Sequence, residues 1–355
     1  MDLYAGLDVS LNETSLCIID SEGKIVRESK VPSEPEAIRS AFEGYADRLG
    51  RLGIEASSLG IWLHRELTAA GPPAIVVEAR HMRASLSAMR NKTDRNDTRG
   101  IAQMMRMGWY RAVYVKGVET QRMRTLLANR PLLKRKLIDL ENHIRGALRA
   151  YGLRVGQVSR GNFEDRVREL MEHADYVFEV MIATLLEVRR TVLEGYNKLH
   201  KIVLQVVIHD PLCRRFMAVP GVGPIAALTF KVAVEDPRRF ARGRTVGAYF
   251  GLTPRRHQSG ISIDFTGHIS KMGDINARGA LCEAAATLLL RSRRWSALKA
   301  WGMRIAKRQS MMCAIVAVAR KLAAILHRMW IDGSEFQWTA GAKVIEKVRL
   351  KSAKA

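Results

Sequence analysis

Leu3-Tyr4-Ala5-Gly6-Leu7-Asp8-Val9 reads as a β-strand with an acidic residue near its end. Three further segments work with it: Gly53-Ile54-Glu55-Ala56-Ser57-Ser58, Pro73–Glu78 and Lys92-Thr93-Asp94-Arg95-Asn96-Asp97. Ser15–Asp20 and Lys24–Lys30 also have strand character, with Gly23 in a tight connection, so the chain opens as a three-strand meander. A helix is expected over Glu34–Leu49, followed by a short strand ending at Ile54-Glu55. The next helix, Ser58–Ala69, has Ser57 or Ser58 to cap it. Ala74-Ile75-Val76-Val77 is a continuous apolar run of the kind found in buried strands. Thr93 can cap a helix running through Met105, in which Asp94 and Asp97 are three apart and share a face. Arg111–Val115 completes an α/β segment as a further strand.

Asp8, Glu55, Asp94 and Asp97 stand out because the rest of the chain is basic: its 355 residues carry 58 Lys and Arg against 35 Asp and Glu, a formal net charge of +23. That excess predicts salt-dependent attraction to phosphate backbones. A few placed carboxylates on a polycation suit Mg²⁺, or Mn²⁺ in its place, held by acid oxygens together with substrate phosphates. Phosphodiester chemistry on nucleic acid is the class this points to. Hydrophobic residues make up 47%, enough for a sizeable core and against wholesale disorder. Cys17, Cys213, Cys282 and Cys313 lie at neither metal-ligand nor local disulfide spacing, so a reducing compartment is expected. The sequence predicts no signal peptide, no membrane span and a cytoplasmic, nucleoid-associated protein.

From about 118 to 208 the pattern is helical, with Leu133, Leu137, Leu140 and Ile144 on one seam. A second seam runs Phe178, Ile182, Leu185, Val192, Tyr196, Leu199 and Val203, interrupted by Arg189. Such seams fit either an antiparallel hairpin or an oligomeric coiled coil. Val219-Pro220-Gly221-Val222-Gly223-Pro224 follows, then a Gly- and Ser-rich stretch to Gly273 and two helices, about Asn276–Leu290 and Met311–Met329. Four segments result: an α/β domain at 1–117, a helical region at 118–208, a mostly α-helical domain at 209–335 and a basic tail at 336–355.

The order strand-Asp8, strand-Glu55, helix-Asp94-x-x-Asp97 resembles the DEDD pattern of RuvC-like nucleases with the RNase H fold. In that fold the acids converge at one edge of a mixed sheet, where two metal ions can clamp an in-line displacement. The wording of the motifs is similar to insertion-sequence transposases of the IS-110 type. That resemblance extends through Pro220–Pro224, Gly251-Leu252-Thr253-Pro254-Arg255, Gln258-Ser259-Gly260 and Ile269–Asp274. One departure is Ser57-Ser58, where many members have Thr-Gly. The resemblance implies a DEDD recombinase guided by a structured RNA from the element, with a RuvC-like domain and a C-terminal transposase domain on either side of the helical, coiled-coil-like region read from the seams. It implies a tetramer, a dimer of dimers, acting on donor and target DNA.

It also implies a serine nucleophile in the C-terminal domain, which would form a covalent phosphoserine link. Ser259 matches best, with Ser262 and Ser270 behind it, and Arg255, Arg256 and Lys271 placed to hold phosphate. From local sequence alone, Ser259-Gly260 reads as a plain turn. Gly221 and Gly223 resemble the hairpin of helix-hairpin-helix DNA binders, or serve as a packing turn. Arg291, Arg293 and Arg294 lie near Trp295 and Trp301, a mixture that suits nucleic acid if the tryptophans are exposed and core if they are not. His257 and His268 are the histidines nearest Ser259, either general bases or solvated turn residues. The rival reading is a Holliday-junction endonuclease that uses the carboxylates and water alone.

Overall fold

The computed structural model describes residues 2–70, 74–87, 93–259 and 263–338, which form two compact units, 1–116 and 117–355. In the first unit β1 (Leu3–Val9), β2 (Glu13–Ile19), β3 (Ile25–Pro32), β4 (Leu49–Glu55) and β5 (Ala74–Val77) form one sheet in the order β3-β2-β1-β4-β5. β1–β3 are an antiparallel meander, whereas β4 and β5 run parallel to β1. The helices are α1 (Pro35–Ala41), α2 (Ser58–Ala70), α3 (Ala79–Leu86) and α4 (Asp94–Met107).

Alternation along the strands decides which helix covers which face. Leu3, Ala5, Leu7, Leu16, Ile18, Leu52 and Ile54 are buried together with Ile38 of α1 and Leu63 and Leu67 of α2. On the other face Cys17 and Ile19 meet Ala102, and Val77 meets Met82 of α3 and Ile101, Met104 and Met105 of α4. α4 lies close to the sheet because two strand residues lack side chains. A Cβ at Gly6 would stand 2.4 Å from the Thr98 carbonyl oxygen, and one at Gly53 would stand 2.6 Å from Ile101 Cγ2.

Two sequence expectations change here. The helix over 34–49 is cut short at Ala41, because Gly44 takes φ +79 and the chain turns through a 3₁₀ segment (Ala46–Arg48) into a longer β4. The strand expected at 111–115 reduces to a single bridge, Ala112 to Val77.

Among its described residues the second unit is helical apart from one hairpin. α5 (Val118–Ala150), α6 (Phe163–Leu170) and α7 (Tyr176–His209) lead into α8 (Pro211–Met217), α9 (Pro224–Val234) and α10 (Gly243–Tyr249). The hairpin β6 (Pro254–Ser259) and β7 (Ile263–Ile269) precedes α11 (Ile275–Ala286), α12 (Ala297–Arg308) and α13 (Met311–Asp332). Three helices thus stand where two are expected, and a π-type turn at Thr287–Arg291 separates the first two of them.

The main core joins Leu127 of α5 and Val203 and Val207 of α7 to α8–α13. The far ends of α5 and α7 close over a smaller core with α6: Ile144, Leu148, Phe163, Val167, Phe178, Ile182 and Leu186. α5 and α7 pair within one chain, as the hairpin alternative required. Arg189, an interruption in sequence, is 1% exposed. It bonds Glu141 of α5 at 2.8 Å and the Arg160 carbonyl at 2.7 Å, and lies over the Phe163 ring at 4.6 Å. A buried charge is tolerated when it is paired and hydrogen-bonded, and Arg189 is both.

Replacing Gly6 with Ala should force α4 off the sheet. The expected loss is about 1–3 kcal/mol, the usual size for overpacking. Thermal or urea unfolding of the Gly6→Ala protein checks it, with Gly50→Ala as control, because a Cβ at Gly50 meets nothing nearer than 3.6 Å.

Candidate active site

Leu7 of β1 lies beside Ile54 of β4, so Asp8 and Glu55 are the next residues on neighbouring parallel strands. Leu7 and Ile54 point into the α1–α2 core, which puts Asp8 and Glu55 on the opposite face with Gly6 and Gly53. That is the face α4 crosses. α4 starts at Asp94, one turn ahead of Thr98, and the Thr93 hydroxyl accepts the Asn96 N–H at 3.2 Å as its cap. The direction of α4 follows from Lys30: its Nζ is 3.7 Å from Asp94, and Lys30 pairs across β2 with Ser15, itself paired with Asp8. Asp8, Glu55, Asp94 and Asp97 therefore share one end of one sheet face.

The side chains are less gathered than the backbone. Among the described residues no three His, Cys, Asp or Glu side chains stand close enough to hold a metal ion together. Asp94 is 61% exposed and leans towards Lys30. The donor set is nonetheless all carboxylate oxygen, which suits a hard divalent cation that keeps part of its water and shares substrate phosphates. The chemistry fits such a metal, with rotation of the acidic side chains needed to close on it.

A cluster that the sequence did not announce flanks this end. Glu28 of β3 takes a forked bond from Arg99 of α4 and an ion pair from Arg95 at 3.4 Å. The Arg99 bond holds the Glu28 carboxyl below its usual range. Burial pushes the neighbouring Cys17 thiol up to about 12, and Glu28 adds to the effect. A cavity of about 180 Å³ lies beside the pair, lined by Ser15, Glu28, Ser29, Lys30, Arg95 and Thr98. Glu28 and Arg99 are 71 positions apart, so no local motif could reveal them.

In the second unit Ser259 ends β6 opposite Ile263, and the connecting residues 260–262, Ser262 included, lie outside the described residues. For Ser259 and His257 the described part is the backbone. Ser270 and Lys271 are at the other end of the hairpin, roughly 20–25 Å away along the strands. There the Ser270 N–H reaches the Thr253 carbonyl, the Lys271 N–H reaches that of Gly251, and Arg255 donates to the Ser270 carbonyl at 3.1 Å. Gly251 (φ +68) and Gly273 (φ +78) cross so closely that a Cβ on either would fall 2.3 Å or less from a carbonyl oxygen. The base is thus rigid, and Ser259 stands at the tip. Arg256 is exposed on β6, and His268 is exposed on β7.

The two glycines of the α8–α9 turn part company. Gly221 (φ +86) packs on α11, where a Cβ would stand 2.3 Å from the Ala284 carbonyl oxygen. A Cβ on Gly223 would meet nothing within 4 Å. Gly223 lines a cavity of about 270 Å³ with Arg130 and Lys134 of α5 at the start of α9. Arg291, Arg293 and Arg294 are all exposed, and Arg294 also lies 3.7 Å over the Trp338 ring.

One tie holds the hairpin base to the long helices. Asp274 caps α11 by accepting the Asn276 and Ala277 N–H groups, and its other oxygen takes Arg124 of α5 at 2.8 Å. Arg124→Leu leaves that half-buried carboxylate without its cation, at an expected cost of about 1–3 kcal/mol. Hydrogen exchange should quicken over residues 271–277 while β1 and β4 keep their protection.

Comparison with known proteins gives two family matches: residues 5–153 to a DEDD-type IS110 transposase model and residues 213–302 to the transposase IS116/IS110/IS902 family. The chain is 29% identical to the transposase for insertion sequence element IS1111A of Coxiella burnetii, over 90% of this chain and 87% of that protein. It is 26% identical to a probable family 20 transposase of Pseudomonas aeruginosa, over 78% and 82% of the two chains. A pilin gene-inverting protein of Moraxella bovis is 32% identical over 30% of this chain and 33% of its own length. Among solved structures, RuvC of Thermus thermophilus aligns with 31% of this chain and 99% of its own, at 13% identity and a TM-score of 0.26.

Proposed function

We propose that this chain, whose residues 5–153 and 213–302 match transposase models of the IS110 and IS116/IS110/IS902 type, is a DNA transposase and an RNA-guided recombinase that cuts and rejoins strands through Ser259. What supports the reading is the backbone placement of Asp8, Glu55, Asp94 and Asp97 towards one end of one sheet face. Mg²⁺, with Mn²⁺ as a substitute, would be held by these four acids and would supply positive charge to the phosphate oxygens of the substrate.

The rest falls to the protein. Ser259 Oγ attacks phosphorus, the bond from phosphorus to the leaving sugar oxygen breaks, and that oxygen departs protonated. The proton lost by the serine passes to solvent or to a carboxylate. The sugar hydroxyl of the incoming strand then attacks the phosphoserine and frees the serine, so the number of phosphodiester bonds is conserved. Arg255 and Arg256 hold the phosphate, and Lys271 at the hairpin base adds backbone affinity. Gly223 at the start of α9, with Arg130 and Lys134, and the exposed Arg291 and Arg293 are further contacts to nucleic acid. Gly221 supports them through packing and Arg294 through Trp338. The guide is a structured RNA encoded beside the gene, and the working assembly is a dimer of dimers. No helix among the described residues is long and apolar enough to cross a membrane.

Ser259→Ala should lose strand exchange by at least about 10³-fold and leave no covalent protein–DNA adduct on a denaturing gel. Asp8→Asn and Asp97→Asn should lose both as well. A junction nuclease using water predicts instead that Ser259→Ala still cleaves. Sequencing the RNA that copurifies with protein expressed beside its native flanking DNA tests the guide: one discrete flank-encoded species is expected, and heterogeneous host RNA removed by moderate salt would overturn that part.

A further inference from the structure

Between Glu283 and Asp332 the sequence holds no Asp or Glu and ten Lys or Arg, seven of them within Arg291–Arg308. With no acid in the run, its field is uncompensated along the chain and fits a polyanion. Within it the tryptophans divide. Trp301 and Trp330 pack against the main core, and Trp295 is 63% exposed. Leaving a ring of that size in water is unfavourable, and packing does not explain it.

The surroundings of Trp295 are built rather than loose. The chain leaves the π-type turn at Arg291 and enters α12 through Ser296, which is buried and caps α12 by accepting the Lys299 N–H at 3.1 Å. Lys299 Nζ is fixed to the Ser292 carbonyl at 2.7 Å and lies 5.6 Å from the Trp295 ring centre. After α13 the chain returns, so that the Trp338 carbonyl accepts the Ala297 N–H and the Trp338 ring lies under Arg294. Phe336 meets Trp338 edge to face at 5.4 Å. Trp295 thus stands on a braced ledge, with exposed Arg291 and Arg293 just before it.

We infer that this ledge binds an unpaired DNA strand, with a base stacked on Trp295 and its phosphates on Arg291 and Arg293. An exposed ring inside a cationic groove takes any base by its flat face, which a duplex keeps covered by its own stacking. Lys299 adds charge over the ring, and Arg294 braces the ledge through Trp338. The inference rests on the chain acting on DNA, since cutting and rejoining strands exposes unpaired ends, but it does not depend on Ser259 or on a guide RNA.

The test is the affinity of the full chain for labelled oligothymidylate of roughly 15 nucleotides, a duplex of equal length and oligouridylate, at one fixed salt concentration. Trp295→Ala should weaken oligothymidylate binding roughly tenfold or more and duplex binding less than about twofold, with Trp295→Phe retaining most of the affinity. Arg291→Ala and Arg293→Ala should weaken both DNA forms and lower the salt slope by about one each. Unchanged oligothymidylate affinity in Trp295→Ala overturns the inference, as does an equal loss on duplex. Tighter, Trp295-dependent binding of oligouridylate overturns the assignment to DNA. An intact Trp295 effect alongside active Ser259→Ala protein would instead remove the proposed nucleophile and leave the ledge standing.

Discussion

The close approach of α4 to β1 and β4 is the contact on which the first unit depends. It exists because Gly6 and Gly53 present no side chain at the crossing, so the helix backbone settles at distances a Cβ would forbid. Interior packing is dense and poorly compressible, so this contact fixes both the height and the direction of the helix. Its first turn carries Asp94 and Asp97, and the strands beneath carry Asp8, next to last in β1, and Glu55, last in β4. Two missing side chains thereby set how the acidic first turn of α4 sits over the strands that carry Asp8 and Glu55.

Much of this was legible beforehand, for physical reasons. β1 and β5 announce themselves by burial on both faces, and the start of α4 by a Thr93 cap with an acidic first turn. The acids themselves were legible as acids, because they stand out on a chain of net charge +23. What sequence could not carry was long-range geometry. Glu28 looks like an ordinary polar strand residue until Arg99 and Arg95 reach it from α4. The truncation at Ala41 depended on Gly44 adopting a left-handed conformation, which composition does not specify.

In the second unit the same limit appears as ambiguity within a motif. Gly221 and Gly223 are two residues apart in one turn, yet one is pressed on the Ala284 carbonyl and the other faces open space. Trp295 and Trp301 are similarly close in sequence, and only the fold separates an exposed ring from a core one. The β6–β7 hairpin escaped notice because β6 is polar throughout, and the pairing is anchored by crossing glycines at the base.

Arg189 has a consequence for the long helical pair as a measuring device. An apolar seam tolerates sliding, since one leucine can replace another at each step. A guanidinium that must find Glu141, the Arg160 carbonyl and the Phe163 ring together can do so in one alignment only. Displacement by a single turn, about 5.4 Å, would strand the charge in a dry interior. The hairpin of α5 and α7 therefore has a set reach from its base in the main core to its tip, and behaves as a ruler of constant length rather than a telescoping arm.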